Sequence, residues 1–364
     1  MIWLTWRQSR MQAAGAAVVL ATFAMLLAIT GPHLASLYAG STLGTCRGSI
    51  DDCGGYADDF LEMLYGTLAF AGSSITGIGT YWLLYLLGIV IILVAPVVIG
   101  IFWGAPLIAS EFEAGTHYLA WNQSITRARW LAVKLTLPGL AAMAVTEALS
   151  VMHGWWAAPI NQAVARGACC SPMAMNQFSP LVFATHGIAP LGYAAFFFAL
   201  GVAAGVLIRR AVPAMALTLT VFTLLQIAMP LWIRPILFPP DHTIVAFNSF
   251  ESLDVPIQNN SFTAFPDGWG TQPEAWVLSS SAVNPAGQPV SDVPPDCTQA
   301  MAAASGKLSH PALLDCLASH GVRIAVTYQP ASRYWAFQWT ETAIYIALAL
   351  VLAGYCFWRL GRGR

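Results

Sequence analysis

Six runs of apolar residues, each long enough to cross a bilayer, constrain this chain more than any other feature. They are roughly Ala13–Pro32, Trp82–Ile108, Leu131–Trp156, Ile188–Ile208, Val212–Ile233 and Ala336–Trp358. A helix needs about 20 such residues to span about 30 Å of hydrocarbon. The expected fold class is therefore an all-α polytopic membrane protein with six transmembrane helices. Composition agrees: of 364 residues, 57% are hydrophobic and 9% charged, against roughly 25% charged in a soluble domain. The first run follows Arg7 and Arg10, as a signal peptide would, but is longer than a signal's apolar core and lacks a clean small-x-small site. An uncleaved anchor is expected.

Arginine and lysine near the ends of spans set orientation, because basic loops are retained in the cytoplasm. Arg7 and Arg10 precede the first run, Arg127, Arg129 and Lys134 lie around the second connection, Arg209 and Arg210 between the fourth and fifth runs, and Arg359, Arg362 and Arg364 after the sixth. If all six runs cross, these fall on one side, so both termini are expected to be cytoplasmic. The opposite side then receives Cys46–Tyr81, Ala157–His186 and Arg234–Trp335. Six of the seven cysteines, Cys46, Cys53, Cys169, Cys170, Cys297 and Cys316, lie in these three segments. An even number on an oxidising face suits disulfides. Connectivity is open; Cys46 with Cys53 and Cys297 with Cys316 are the local pairings, and unpaired buried thiols the alternative.

Residues 1–233 read as a membrane domain entered through "MIWLTWRQSR", where tryptophan with arginine favours an interfacial helix or a plain basic flank. Residues 234–335 hold more than half of the prolines and the strand-like runs "TIVAFN", "AWVLSSSAV" and "RIAVTY". A small mixed α/β extracytoplasmic domain is expected there, with two short helices in Asp296–Gly321. Residues 336–364 form the last span and a cytoplasmic tail.

Motifs for chemistry are missing. "ASGKLS" around Lys307 has Leu308 where a phosphate loop needs a hydroxyl, and no Gly-x-Ser-x-Gly or His-Glu-x-x-His occurs. The seven histidines are scattered singly. The chain is expected to be no enzyme and to bind no cofactor, metal or nucleic acid. Glu147 is the charge noted inside a span: nine residues before Trp156, it sits about 14 Å along the helix, near the midplane. A charge there costs on the order of 2.5–3.5 kcal/mol and usually faces a partner or a water path. A neutral, protonated Glu147 bonded to a neighbouring helix is the alternative.

The remaining anomaly is "LIASEFEAGTHYLAWNQSITRARWLAVKL" between the second and third runs. Glu111 and Glu113 cannot share a helical face, since neighbours sit three or four apart. Gly115 permits a bend, and Thr116 can cap a short amphipathic segment. Residues 109–130 thus form a surface able to dock a partner.

The pattern Glu111, Glu113, Gly115, Thr116, followed by Thr126, Arg127, Arg129 and Lys134, resembles the cytoplasmic loop of type-2 ABC-transporter permeases, whose hallmark is E-x-E-x-G-T. "TYQPASRYWAFQW" resembles an element of a subgroup from high-GC Gram-positive bacteria. The resemblance implies an ATP-driven exporter in a bacterial cell membrane. A separate ATPase would bind ATP and Mg and press on 109–130, and a second permease copy would complete the pathway among membrane lipid. It implies ATPase coupling through Glu111, Glu113, Gly115, Thr116, Arg127 and Arg129. A membrane sensor and a lipid-modifying enzyme are the rival classes. The sensor needs no ATPase; the enzyme needs a polar cluster that a lone Glu147 does not supply.

Overall fold

The structure is a computed structural model. It describes residues 2–48, 50–66, 68–70, 73–75, 79–115, 126–168, 171–246, 257–258, 261–262, 274–290, 295–297 and 316–362. In chain order, α1 (Ile2–Gly40) leads to α2 (Thr42–Thr45), α3 (Ile50–Tyr65) and the hairpin β1 (Leu68–Phe70) and β2 (Ser73–Ile75). α4 (Thr80–Ile99) passes through a π-helical turn, Gly100–Gly104, into α5 (Ala105–Glu113). α6 (Arg127–Trp156), α7 (Ala158–Ala165), α8 (Pro180–Thr185), α9 (Ala189–Ile208) and α10 (Ala211–Ala228) follow. Beyond α10, a π turn and a 3-10 turn lead to β3 (Asp241–Ala246), β4 (Ile257–Gln258), β5 (Ser261–Phe262), β6 (Trp276–Val283), β7 (Arg323–Gln329) and α11 (Tyr334–Arg362).

Each apolar run has become a helix long and apolar enough to cross a membrane, six among the described residues. The protein is an all-α polytopic membrane protein with a small sheet region. The expected interfacial entry segment is not a separate element, because α1 runs unbroken through Arg7 and Arg10. It also continues past Pro32, the expected end, to Gly40. The extension is held by burial: Leu34, with Leu37 and Tyr38 partly buried, packs in one cluster with Leu43, Phe60 and Leu61.

The spans differ in how much neighbouring protein surrounds them. About 72% of the apolar window of α9 is buried, against 11% for α1 and 17% for α10, so α9 is the central helix. Its small residues explain the position. A Cβ on Gly205 would lie 2.7 Å from the carbonyl oxygen of Ala105, and one on Gly201 would collide with the carbonyl of Gly100. From the other side, a Cβ on Gly100 or Gly104 would come within 2.6 Å of the carbonyl of Phe197 or Phe198. Two small-xxx-small pairs therefore interlock, a packing mode that suits lipid, where association depends on close van der Waals contact.

At the far end from the Arg127 terminus of α6, the segments after the first and third spans merge into one cap. α3 buries Cys53, Ala57, Phe60, Leu61 and Leu64 against Ile160, Ala163 and Val164 of α7, an apolar stripe at helical spacing. Arg166 donates from Nη1 to the carbonyls of Leu43 (3.1 Å) and Cys46 (2.7 Å). Disulfides join Cys46 to Cys53 and Cys297 to Cys316; Cys169 and Cys170 lie outside the described residues. The strand-like runs form an antiparallel sheet in the order β3-β7-β6, with Thr243 opposite Val326 and a bulge between Val277 and Ser279. Most of the two expected short helices lies outside the described residues. The sheet is anchored to the spans by Asn176, which donates to the carbonyl of Ala275 (3.0 Å), and by Phe178 stacked on Trp276.

Candidate functional site

Residues 105–115, 126–134 and 209–211 build a compact site at the end of the molecule opposite the cap. α5 ends at Glu113, Ala114 closes it through a hydrogen bond to Ser110, and Gly115 turns the chain at φ +68°. Thr116, expected as a cap, lies with residues 117–125 outside the described residues. α6 is capped by Thr126, whose Oγ1 accepts from the Arg129 N–H at 3.3 Å.

The two acids flanking Phe112 turn in opposite directions, as their spacing requires. Glu111 forms an ion pair with Lys134, about two turns into α6, and Lys134 also donates to the carbonyl of Leu107 at 3.5 Å. Lys134 is 4% exposed and lies 4.8 Å from the centre of the Trp130 ring. A lysine so enclosed is acceptable only with its counter-charge in place. Glu113 reaches the other way: its Oε1 accepts from the backbone N–H of Ala211 at 3.0 Å. Ala211 opens α10, whose N-cap residue Arg210 offers no side-chain cap. The first N–H groups of a helix lack intrahelical partners and carry the positive end of its dipole, so a remote carboxylate satisfies both needs.

The connection from α9 to α10 is bent at Arg209, the one non-glycine residue with positive φ among the described residues (57°). This places its guanidinium 5.6 Å from the centre of the Phe112 ring. Arg127 is half-buried and Arg129 exposed at the start of α6. Of the residues singled out in the sequence, Glu111, Glu113, Gly115, Arg127 and Arg129 thus bracket one loop. Sequence reasoning missed the partners: Lys134 as an ion-pair acceptor's mate, and Ala211, 98 positions away.

Glu147 stands apart on α6. It is half-buried, and its Oε2 is enclosed without a hydrogen-bond partner among the described residues. It is not the only charge in the spans. Glu341 on α11 is fully buried, and Arg234 meets it with Nε to Oε2 at 2.9 Å and Nη2 to Oε1 at 3.2 Å. Arg234, expected as the first residue of the outer domain, lies in the 3-10 turn that continues the fifth span. The histidines are not all single either: the rings of His153 and His186 lie 5.1 Å apart, both buried. Burial holds the His186 imidazole below its ordinary pKa, partly offset by the carbonyl of Val182. In the region after the fifth span, Cys297, Cys316 and His320 bring ligand atoms within 4.8 Å of one another, but with the sulfurs joined no thiolate is left to hold a metal.

A family model described as "ABC-2 membrane transporter related" matches residues 17–234, which takes in most of the first five spans and the whole of this site. No curated protein and no solved structure matches the chain.

Proposed function

Because the chain belongs to the ABC-2 membrane transporter related family, we propose that it is the permease subunit of an ATP-driven exporter in a bacterial cell membrane. A separate ATPase binds ATP and Mg and engages the loop 109–130 from the cytoplasm. A second permease, a copy of this chain or a similar one, completes the pathway. The termini and the site around Glu111 lie in the cytoplasm, and the cap and sheet lie outside.

One observation carries this reading: the loop is tied to two spans by the acids at its start. Glu111 holds α6 through Lys134, and Glu113 holds the first turn of α10 through Ala211. A partner pressing on the loop moves both spans, because neither tie can be broken without stranding a buried charge or an orphan helix terminus. The exposed Arg129 is then free to meet the partner, and the two acids transmit. Coupling is a property of the loop with its ties, so the acids and the arginine should fail differently.

The test is purification of the chain with its cognate ATPase in lipid nanodiscs. Arg129→Ala should weaken binding of the ATPase. Glu113→Ala, which removes the acceptor from the Ala211 N–H, should leave binding intact while lowering the permease-dependent stimulation of ATP hydrolysis severalfold. Stimulation unchanged by both substitutions would remove the coupling role.

A further inference from the structure

After the fifth span, the run "CLASHG" places His320 four residues beyond Cys316, the spacing that puts two side chains on one face of a helical turn. Residues 316–319 form that turn. Gly321 ends it at φ +68°, with its N–H bonded to the carbonyl of Ala318 (2.9 Å) and the Val322 N–H bonded to that of Leu317 (3.1 Å). Glycine takes this left-handed cap without strain. β7, the middle strand of the main sheet, starts at the next residue. The His320 ring folds back on the turn, its Nδ1 3.0 Å from the carbonyl oxygen of Cys316. The disulfide brings Cys297 to the same place from the 3-10 turn Pro295–Cys297.

Nδ1 of His320 lies 3.9 Å from the Sγ of Cys297, and its Nε2 lies 3.4 Å from Oδ2 of Asp296. The carbonyl of Cys316, followed by Asp296, favours the protonated ring and holds His320 above its ordinary pKa. A staple that only closes a loop gains nothing from a cation at one sulfur. Thiol–disulfide exchange does: an attacking thiolate bonds one sulfur and expels the other, which leaves faster the more stable its thiolate is. A neighbouring imidazolium supplies that stability. The two sulfurs are also unequally placed, for Cys297 is fully buried and Cys316 partly exposed. A thiol from solution therefore reaches Cys316, and the sulfur it expels is the one beside His320. Of the two disulfides, this is the one with a histidine at a sulfur among the described residues.

We propose that Cys297–Cys316 is a thiol–disulfide exchange site that oxidises dithiols, with His320 stabilising the sulfur that leaves. The first thiolate of the dithiol bonds the sulfur of Cys316, the S–S bond breaks, and Cys297 departs as a thiolate beside the protonated ring. The second thiol of the dithiol gives its proton to solvent and displaces Cys316, which leaves as a thiolate and takes up a proton. The dithiol loses two electrons and becomes a disulfide; the two cysteines gain them. The site needs neither ATP nor a second permease, so its test stands apart from that of the transport reading.

The full chain in nanodiscs is treated with dithiothreitol at about pH 6.5, where a histidine raised above its ordinary pKa is more than half protonated. Acid quenching, alkylation and peptide mapping by mass spectrometry then time both disulfides in one molecule. Cys297–Cys316 should open, and His320→Gln should slow its opening about tenfold while Cys46–Cys53 keeps the parent rate. His320 is exposed, so this replacement leaves the core untouched. A plain staple opens at a rate set by access alone. Opening in His320→Gln as fast as in the parent, or faster, therefore overturns the proposal, and so does a bond that resists the dithiol in the parent. A monothiol, 2-mercaptoethanol, gives a second measurement that needs no variant. Its adduct should be trapped on Cys316 with Cys297 free, and an adduct on Cys297 overturns the proposal as well.

Discussion

At the scale of single residues, the two acids of the loop illustrate how unequal neighbouring carboxylates can be. Glu111 neutralises a lysine that is 4% exposed, so Glu111→Gln strands a buried charge and should cost roughly 3–5 kcal/mol. Glu113→Gln keeps an acceptor near Ala211 and loses only charge at a helix N-terminus, about 0.3–1 kcal/mol. Thermal unfolding of the two variants should separate them clearly, and equal losses would contradict the pairing. His186 supplies a pH dependence. Its folded pKa is depressed by burial, so the unfolded chain binds the proton more readily, and stability contributed by the neutral ring is lost as pH falls below about 6.5. The melting temperature should drop between about pH 7 and pH 5, and drop less in His186→Gln. The acids were legible in the sequence as a motif; their partners were not, since Lys134 and Ala211 are joined to them only by folding. Glu341 was legible by the argument that singled out Glu147. Its partner Arg234, 107 positions away, is joined to it only by folding.

At the scale of elements, the six apolar runs and the three strands of the main sheet could be located from composition and period alone, because length and burial set both signals. What escaped was how the spans touch. "GIFWG" and "GVAAG" carry glycines four apart, a readable pattern whose meaning depends on which two helices it joins. Gly201 faces the backbone of Gly100 too closely for any side chain. Gly201→Leu should therefore force α9 from α4 and α5 and abolish stable monodisperse protein. Gly15→Leu, in open space on α1, should be tolerated; size-exclusion profiles in detergent distinguish the two. The π turns at Gly100–Gly104 and Met229–Ile233 leave no comparable trace, since they arise from packing that a linear pattern does not encode.

At the scale of the whole molecule, the two disulfides, the cap and the main sheet share one end, and Glu111 with its partners occupies the other. The longer staple, Cys297 to Cys316, closes 19 residues, a loop size worth about 3 kcal/mol. A membrane-impermeant reductant applied to intact cells should cleave it and expose β3 and β7 to protease while the inner loop stays protected. Reduction that requires permeabilised cells would invert the topology. The cap itself was hidden in the sequence, because α3 and α7 lie in separate outer segments and share no pattern beyond apolar spacing. Glu113 holds the fifth span by a single bond to the first N–H of α10, close to that helix's axis. A fastening of this kind passes a thrust along the helix but resists no torque about it. Glu111 grips α6 from the side, through a long lysine stem. A load on the loop would therefore reach the fifth span as a lengthwise displacement and the third as a sideways lean. One input would yield two motions of different kind, fixed by where each carboxylate takes hold.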